Sequence, residues 1–114
     1  MDITLDRKAD QDITFQYYEE DGTTKRTLAS ATVYFTVKAD PFDTDATDTT
    51  AVIKKDTTLH TDAATGLTTI SLTATETNIA PSNYFYSIRV KEAGGKIYVA
   101  QTGRLRISAN TGNR

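Results

Sequence analysis

The chain has 114 residues, no cysteine and a formal net charge of -2 at pH 7. This length suits one domain with a single hydrophobic core, and the lack of cysteine excludes a disulfide framework and a thiolate metal site. No apolar run approaches the roughly 20 residues of a membrane-spanning helix, and no signal peptide is visible at the N-terminus. We therefore predict one domain over residues 1–108 and a polar tail over residues 109–114, without membrane association.

The first part of the chain alternates apolar and polar residues with the period of half-buried β-strands. A short strand is predicted around residues 3–5, a second over residues 12–20 and a third within residues 28–38. Asp21-Gly22 is a turn signal between the second strand and the third. No segment shows helical periodicity, so the pattern predicts an all-β fold.

The middle of the chain contains an acidic loop and two further strands. Residues 40–50 carry Pro41 and four aspartates, and they precede a short strand over residues 51–55 and a longer one over residues 66–74. The four aspartates are Asp40, Asp43, Asp45 and Asp48. Carboxylate oxygens suit calcium, but the spacing of a known calcium loop is missing. We predict an exposed acidic loop, with calcium binding as the alternative and no metal site assigned.

Residues 75–82 are predicted to form a corner with one helical turn before the strand that begins near Tyr84. In immunoglobulin-like and fibronectin-like sandwiches, a tyrosine at this place ties the crossing loop down through its hydroxyl group. Tyr84 is predicted to be this tyrosine. With the terminal hairpin, the strand count reaches seven or eight, and the turn spacing favours an immunoglobulin-like antiparallel β-sandwich.

Residues 82–108 predict a β-hairpin whose two strands meet at Gly94-Gly95. A two-residue loop at these glycines sets the register of the whole hairpin. The predicted cross-strand pairs are Ala93 with Lys96, Val90 with Val99, Tyr86 with Gly103, and Tyr84 with Leu105. In this register Tyr86 covers the bare backbone of Gly103, and a bulge at Gly103 would end the register there. Even-numbered residues of the first strand and odd-numbered residues of the second, including Ile97 and Val99, are predicted to share the inner face.

The outer face of this hairpin is the candidate interaction surface. Its predicted members are Phe85, Arg89, Lys91, Tyr98, Arg104 and Arg106. After Asn83 the chain has one acid, Glu92, against six lysines and arginines, so this end is basic and suits an acidic partner. The alternative is a solvated face on which arginine and lysine stems, or a second sheet, cover the aromatic rings.

The sequence contains no convincing catalytic constellation. His60 lies near Asp62, but hydroxyl residues are so frequent that a triad involving them has no specific support. No nucleophile elbow, phosphate-binding loop, dinucleotide fingerprint or zinc spacing occurs. We predict a protein that is not an enzyme and has no cofactor. We also predict no binding of nucleic acid, since that role needs a stronger overall basic excess than this chain has.

Two stretches together resemble a family of small immunoglobulin-like domains from tailed-phage baseplate and tail proteins, typified by the N-terminal domain of the baseplate upper protein. Residues 28–38, LASATVYFTVK, are similar to the family pattern L-x-G-A-T-V-x-F-x-V-K, with Ser30 in place of glycine. Residues 66–107 are similar to the family's closing strands, with Asn83 where a glycine is usual before Tyr84. The family has no catalytic residues, so none is transferred.

The resemblance implies a virion structural protein, made in the bacterial cytoplasm and placed in a baseplate, tail or neck. It further implies contacts with other virion proteins and several copies in one assembly. Two other binding roles stay open, a carbohydrate-binding or adhesin module and a capsid decoration protein; the absence of tryptophan counts mildly against the first. An enzyme or enzyme inhibitor is the remaining alternative.

Overall fold

Seven β-strands form the secondary structure in the computed structural model, which describes residues 2–40 and 50–109. The strands are β1 (Ile3–Asp6), β2 (Gln11–Gln16), β3 (Thr32–Lys38), β4 (Ile53–Thr57), β5 (Leu67–Leu72), β6 (Asn83–Lys91) and β7 (Ile97–Ser108). No α-helix occurs within these described ranges. The prediction of an all-β fold with seven or eight strands is confirmed.

The strands form two sheets, one of five strands in the order β1-β7-β6-β3-β4 and one of two strands, β2-β5. All neighbouring strands are antiparallel except β1 and β7, which run parallel from the pair Ile3 and Leu105 to the pair Asp6 and Ser108. The expected immunoglobulin-like sandwich therefore contains one parallel pair. No short turn joins the first strand to the last, so chain connectivity does not force them to be antiparallel.

The two sheets enclose one hydrophobic core. Alternate residues of β3 (Val33, Phe35 and Val37) are fully buried, and the rings of Phe35 and Tyr86 lie 5.9 Å apart between their centroids. Each fully buried aliphatic or aromatic side chain contributes about 1.5–3 kcal/mol. Because each strand buries only every second residue, the opposite face of the five-stranded sheet remains open to solvent or to a partner.

The corner before β6 has the predicted form. The Tyr84 hydroxyl donates a hydrogen bond of 2.6 Å to the Ala80 carbonyl, the bond that a tyrosine corner requires. One helical turn precedes it, closed by a 3.0 Å hydrogen bond from the Thr77 amide to the Thr73 carbonyl. These bonds set the point at which the chain crosses into β6, and thereby the register of the hairpin.

The hairpin loop differs from its prediction. The Glu92 amide donates to the Lys96 carbonyl, and the Gly95 amide donates to the Glu92 carbonyl, each at 2.8 Å. Glu92, and not Ala93, therefore lies opposite Lys96, and the loop has three residues instead of two. Among the three residues of this loop, Gly95 alone has a positive φ, 92°. A type I turn followed by one left-handed glycine needs fewer residues with positive φ than the two-residue type I′ turn.

A bulge at Ala100 restores the predicted register farther from the loop. Ile88 pairs with Gln101, but Arg89 pairs with Val99, so Ala100 has no partner on β6. The predicted pairs of Tyr86 with Gly103 and of Tyr84 with Leu105 are confirmed beyond this point. The extra residue of the loop and the extra residue of the bulge compensate each other, because both shift the register by one.

Between the loop and the bulge, the side chains of β7 occupy the opposite faces from those predicted. Tyr98, instead of Val99, pairs with Val90 and lies on the inner side of the sheet. Ile97 and Val99, predicted to be buried, are 55% and 58% exposed. A shift of one residue exchanges the two faces of a strand, which explains the whole difference.

Candidate interaction surface

The outer face of the five-stranded sheet is built from successive cross-strand rows on β3, β6 and β7. One row consists of the three hydroxyl residues Thr36, Ser87 and Thr102, which are direct neighbours in the ladder. On one side of this row lies Arg89, flanked by Tyr34 and Val99; on the other side lies Phe85, flanked by Lys38 and Arg104. The face therefore presents a row of hydroxyl groups between Arg89 on one side and Lys38 and Arg104 on the other. Asp56 on β4 continues the row of Arg89 beyond Tyr34.

Five of the six predicted surface residues share this outer face. Arg89, Lys91, Arg104 and Arg106 are exposed, and Phe85 is half-buried between its strand neighbours. Tyr98 is the exception, because the Ala100 bulge places it on the inner side, where the Arg26 guanidinium lies 5.0 Å from the centroid of its ring. The predicted pair of Phe85 and Tyr98 on one face is wrong.

Several members of the outer face were not among the six predicted surface residues. Ile97 and Val99 were assigned to the core, and Tyr34 on β3 was not included in the surface. The signal for Tyr34 was present, since it alternates with the buried Val33 and Phe35. No local signal distinguishes Val99 from Tyr98, because the face of each depends on where the bulge falls.

A shallow groove of about 410 Å³ crosses the outer face. The three hydroxyl residues line it, together with Phe85, Arg89 and Arg104, while Lys38 and Asp40 stand at the same groove with opposite charges. A second hollow of about 370 Å³ continues past Arg104 to Arg106 and Asn83. The two hollows share Phe85 and Arg104 and form one depression along β6 and β7.

The arginines of this face are not neutralised by internal ion pairs. Among residues 2–40 and 50–109, no carboxylate forms an ion pair with Arg89, Arg104 or Arg106. Glu92, the single acid after Asn83, is engaged elsewhere with Arg26.

Three acids nevertheless lie on or beside this face. Asp40 lines the groove, Asp2 lines the second hollow with Arg104 and Arg106, and Asp56 neighbours Tyr34 in the row of Arg89. The three arginines therefore lack a direct ion pair with a described carboxylate, on a face that also carries these acids.

Glu92 belongs to a polar cluster that fixes the hairpin loop to the rest of the sandwich. Its carboxylate accepts hydrogen bonds from two nitrogens of Arg26, with the Nη2–Oε1 distance at 2.8 Å, and from the Tyr17 hydroxyl at 3.1 Å. The hydrogen bonds from Arg26 lower the pKa of Glu92. Burial, reinforced by the hydrogen bond to Glu92, raises the pKa of Tyr17 to about 12. The cluster is a structural lock that the sequence did not reveal.

His60 is bound at both ring nitrogens. Nε2 lies 2.8 Å from the Ala31 carbonyl, and Nδ1 lies 2.9 Å from the Thr68 hydroxyl. A carbonyl oxygen only accepts, so Nε2 carries a hydrogen and the ring bridges the segment before β3 to β5. The nearby Asp62 instead accepts a long hydrogen bond of 3.4 Å from the Thr65 amide. This geometry gives His60 a structural role and no free nitrogen for general base catalysis.

We expect His60→Ala to lower the free energy of unfolding by about 1–2 kcal/mol, since it leaves a buried hydroxyl and a carbonyl without their partner. Urea unfolding followed by circular dichroism measures this loss. The control is Leu59→Ala, which truncates an adjacent side chain that is 89% exposed and should change little. An equally small effect of both substitutions would contradict the bridging role.

The described residues offer no other chemistry of a site. No group of three or more histidine and carboxylate side chains among residues 2–40 and 50–109 is placed to hold a metal ion. The predicted acidic loop, for which calcium binding is the alternative, includes Asp43, Asp45 and Asp48, which lie outside the described residues. No helix in the described part is long and apolar enough to cross a membrane.

The fold and the surface together define a β-sandwich protein with one open, basic sheet face. Comparison with models of known protein families and with curated proteins finds no match to this chain.

Proposed function

We propose that the chain is a non-enzymatic structural protein of a tailed-phage particle, a component of the baseplate, tail or neck, and that it acts through protein–protein contacts. The observation that carries the contact role is the open outer face, where Arg89, Arg104 and Arg106 have no carboxylate partner among the described residues. Charges that a fold leaves without a partner on a concave face favour recognition of an oppositely charged surface.

The assignment to a phage particle has a different support, namely the likeness of residues 28–38 and 66–107 to the strands of phage immunoglobulin-like domains. The residues in these stretches are mainly those that build the core, such as Val33, Phe35 and Ile88. A sandwich of this kind is a rigid support that can present the same face in several copies of one assembly.

Charge reversal on the outer face tests the contact role. We expect the double variant Arg104→Glu/Arg106→Glu to enter phage particles at least about tenfold less than the wild type, because two charge-assisted contacts become repulsive. Its thermal unfolding should change little, since exposed substitutions usually cost less than about 0.5 kcal/mol. Quantitative mass spectrometry of purified particles measures the amount of chain in each particle.

The matched control is Lys25→Glu, which makes the same kind of charge change at an exposed residue outside β6 and β7. Normal incorporation of the double variant would overturn the proposed face. Complete absence of the wild-type chain from purified particles would overturn the virion role itself. Specific binding of the isolated chain to a glycan array would instead favour the carbohydrate-binding alternative.

A further inference from the structure

We propose that the groove on the outer face binds an acidic polypeptide segment in extended form, with one carboxylate at Arg89 and another at Arg104. The inference rests on the proposed contact function and names the chemistry of the partner. The groove, of about 410 Å³, is lined by both arginines and by the hydroxyl row between them.

The register of the sheet sets the backbone separation of Arg89 and Arg104 along the strands. Arg104 on β7 lies level with Phe85 on β6, and Arg89 lies four residues farther along β6. Four residues of a strand span about 13 Å. A second extended chain has the same rise per residue, so its side chains at positions i and i+4, which point to one side, match this separation.

The side chains in the groove suit carboxylates at its ends and peptide groups in its middle. An arginine guanidinium binds a carboxylate through two parallel hydrogen bonds, which gives both charge and geometry. The hydroxyls of Thr36, Ser87 and Thr102 can donate or accept, as a polypeptide backbone with both kinds of group requires. Phe85 is half-buried beside Arg104 and offers an apolar wall to an aliphatic stem.

The same features disfavour a nucleic acid as the occupant. Binding of single strands uses exposed aromatic rings on which bases stack, and Phe85 is half-buried. The net charge of -2 over the whole chain also repels a long polyanion.

A second copy of the chain matches the groove less well than a partner with spaced carboxylates. A second copy does carry two exposed acids four residues apart, Asp2 and Asp6. Asp2 directly precedes β1 and Asp6 ends it, and β1 is held in its own sheet by pairing with β7, so these acids do not lie on a free extended segment. A partner with two acids four residues apart presents both to the sheet at once. We therefore assign the groove to a segment of another protein.

Synthetic peptides of stated spacing test this inference. The probes are fluorescent peptides of about nine residues, made of serine, threonine and glycine with two glutamates at spacings of two, three, four or six. Fluorescence anisotropy at low salt with the full chain measures the affinity of each probe. We expect the spacing of four to bind best, and added salt to weaken binding because the contacts are electrostatic.

Substitutions then locate the binding site. Arg89→Glu and Arg104→Glu should each weaken binding of the best probe about tenfold, as loss of one charge-assisted contact predicts. Arg89→Lys should recover part of the affinity, since it keeps the charge and loses the two-pronged geometry. Lys25→Glu is the control for net charge and should bind like the wild type. Circular dichroism verifies that each variant is folded.

Several results would overturn the inference. These are affinity that does not depend on glutamate spacing, equal binding of a lysine-substituted probe, or full affinity in the Arg89→Glu variant. Tighter binding of single-stranded DNA or heparin than of any peptide would assign the groove to another polymer, and self-association that Arg89→Glu abolishes would assign it to a second copy. If no peptide binds but the chain is present in particles, the inference fails while the proposed function stands. If a peptide binds but the chain is absent from particles, the proposed function fails while the peptide-binding groove stands.

Discussion

Replacing Gly66 with alanine is expected to lower the free energy of unfolding by about 3–5 kcal/mol, as the combined cost of backbone strain and overpacking. Gly66 has a φ of 78°, and a Cβ at this position would overlap the carbonyl oxygen of Arg26 and approach that of Tyr17 to 3.1 Å. The Gly66 carbonyl also accepts a 2.8 Å hydrogen bond from the Tyr17 amide. The clash therefore falls on backbone atoms that cannot rotate away.

The matched control is Gly22→Ala. Gly22 has nearly the same φ, 74°, but nothing lies within 4 Å of the Cβ it would acquire. Its substitution should cost only about 1 kcal/mol, the penalty for a left-handed residue other than glycine. Urea unfolding of both variants separates the steric contribution from the conformational one. Equal losses at the two positions would show that the close approach to Arg26 is not tight in solution.

Tyr17 is expected to make the stability of the protein fall steeply at alkaline pH. Its pKa is raised to about 12, first by burial, which leaves the residue 4% exposed, and then by the hydrogen bond to Glu92. A raised pKa means that the native state favours the neutral phenol. This contribution is fully present below the ordinary pKa of about 10 and is lost as the pH rises from 10 towards 12. The loss amounts to roughly 2–3 kcal/mol.

Urea unfolding of the wild type and of Tyr17→Phe at several values between pH 9 and pH 11.5 measures this effect. The stability advantage of the wild type over Tyr17→Phe should shrink across the range, and absorbance at 295 nm should show a tyrosine that ionises late. In the Glu92→Gln variant the pKa of Tyr17 should remain partly raised, since burial is the largest cause of the increase. An advantage that stays constant with pH would contradict the buried phenol.

The same cluster has the opposite dependence at acid pH. The pKa of Glu92 is lowered, chiefly by the hydrogen bonds from Arg26. Its contribution to stability is therefore present above the ordinary carboxyl pKa and is lost as the pH falls below it. The cluster joins the loop between β6 and β7 to the segment after β2, so this loop is held firmly between these two limits.

Much of the fold was predictable because it depends on local patterns. The alternation of Val33, Phe35 and Val37 with polar neighbours determined both the strand and its buried face. The corner at Tyr84 also followed from the sequence, since Tyr84 and Ala80 are close in the chain. The predicted pairing of Tyr84 with Leu105 holds only because the Ala100 bulge offsets the third residue of the loop. A period of two is the property of a strand that a sequence displays most directly.

The candidate surface was predictable only in part. The arginines on β6 and β7 were placed correctly beyond the bulge, because the register there matches the predicted one. Tyr98 and Val99 lie on the opposite faces from those predicted. The extra residue of the loop shifts the register by one until the bulge restores it, and no local signal sets the length of the loop or the position of the bulge. His60 received no catalytic assignment from the sequence; the contacts of its two ring nitrogens, to the Thr68 hydroxyl and the Ala31 carbonyl, depend on the fold and were not predicted.

The sequence by itself determined that this chain forms strands, which of their residues face the core outside the part of β7 between the loop and the bulge, and that one end is basic. The tertiary structure alone decided where β7 bulges and that β1 runs parallel to β7. It also decided that Glu92 forms an ion pair with Arg26, so that this acid does not pair with the arginines of the outer face. The physical reason is the range of the interactions. Alternation and turn chemistry act between neighbours in the chain, whereas pairing of charges and of distant strands depends on the complete fold.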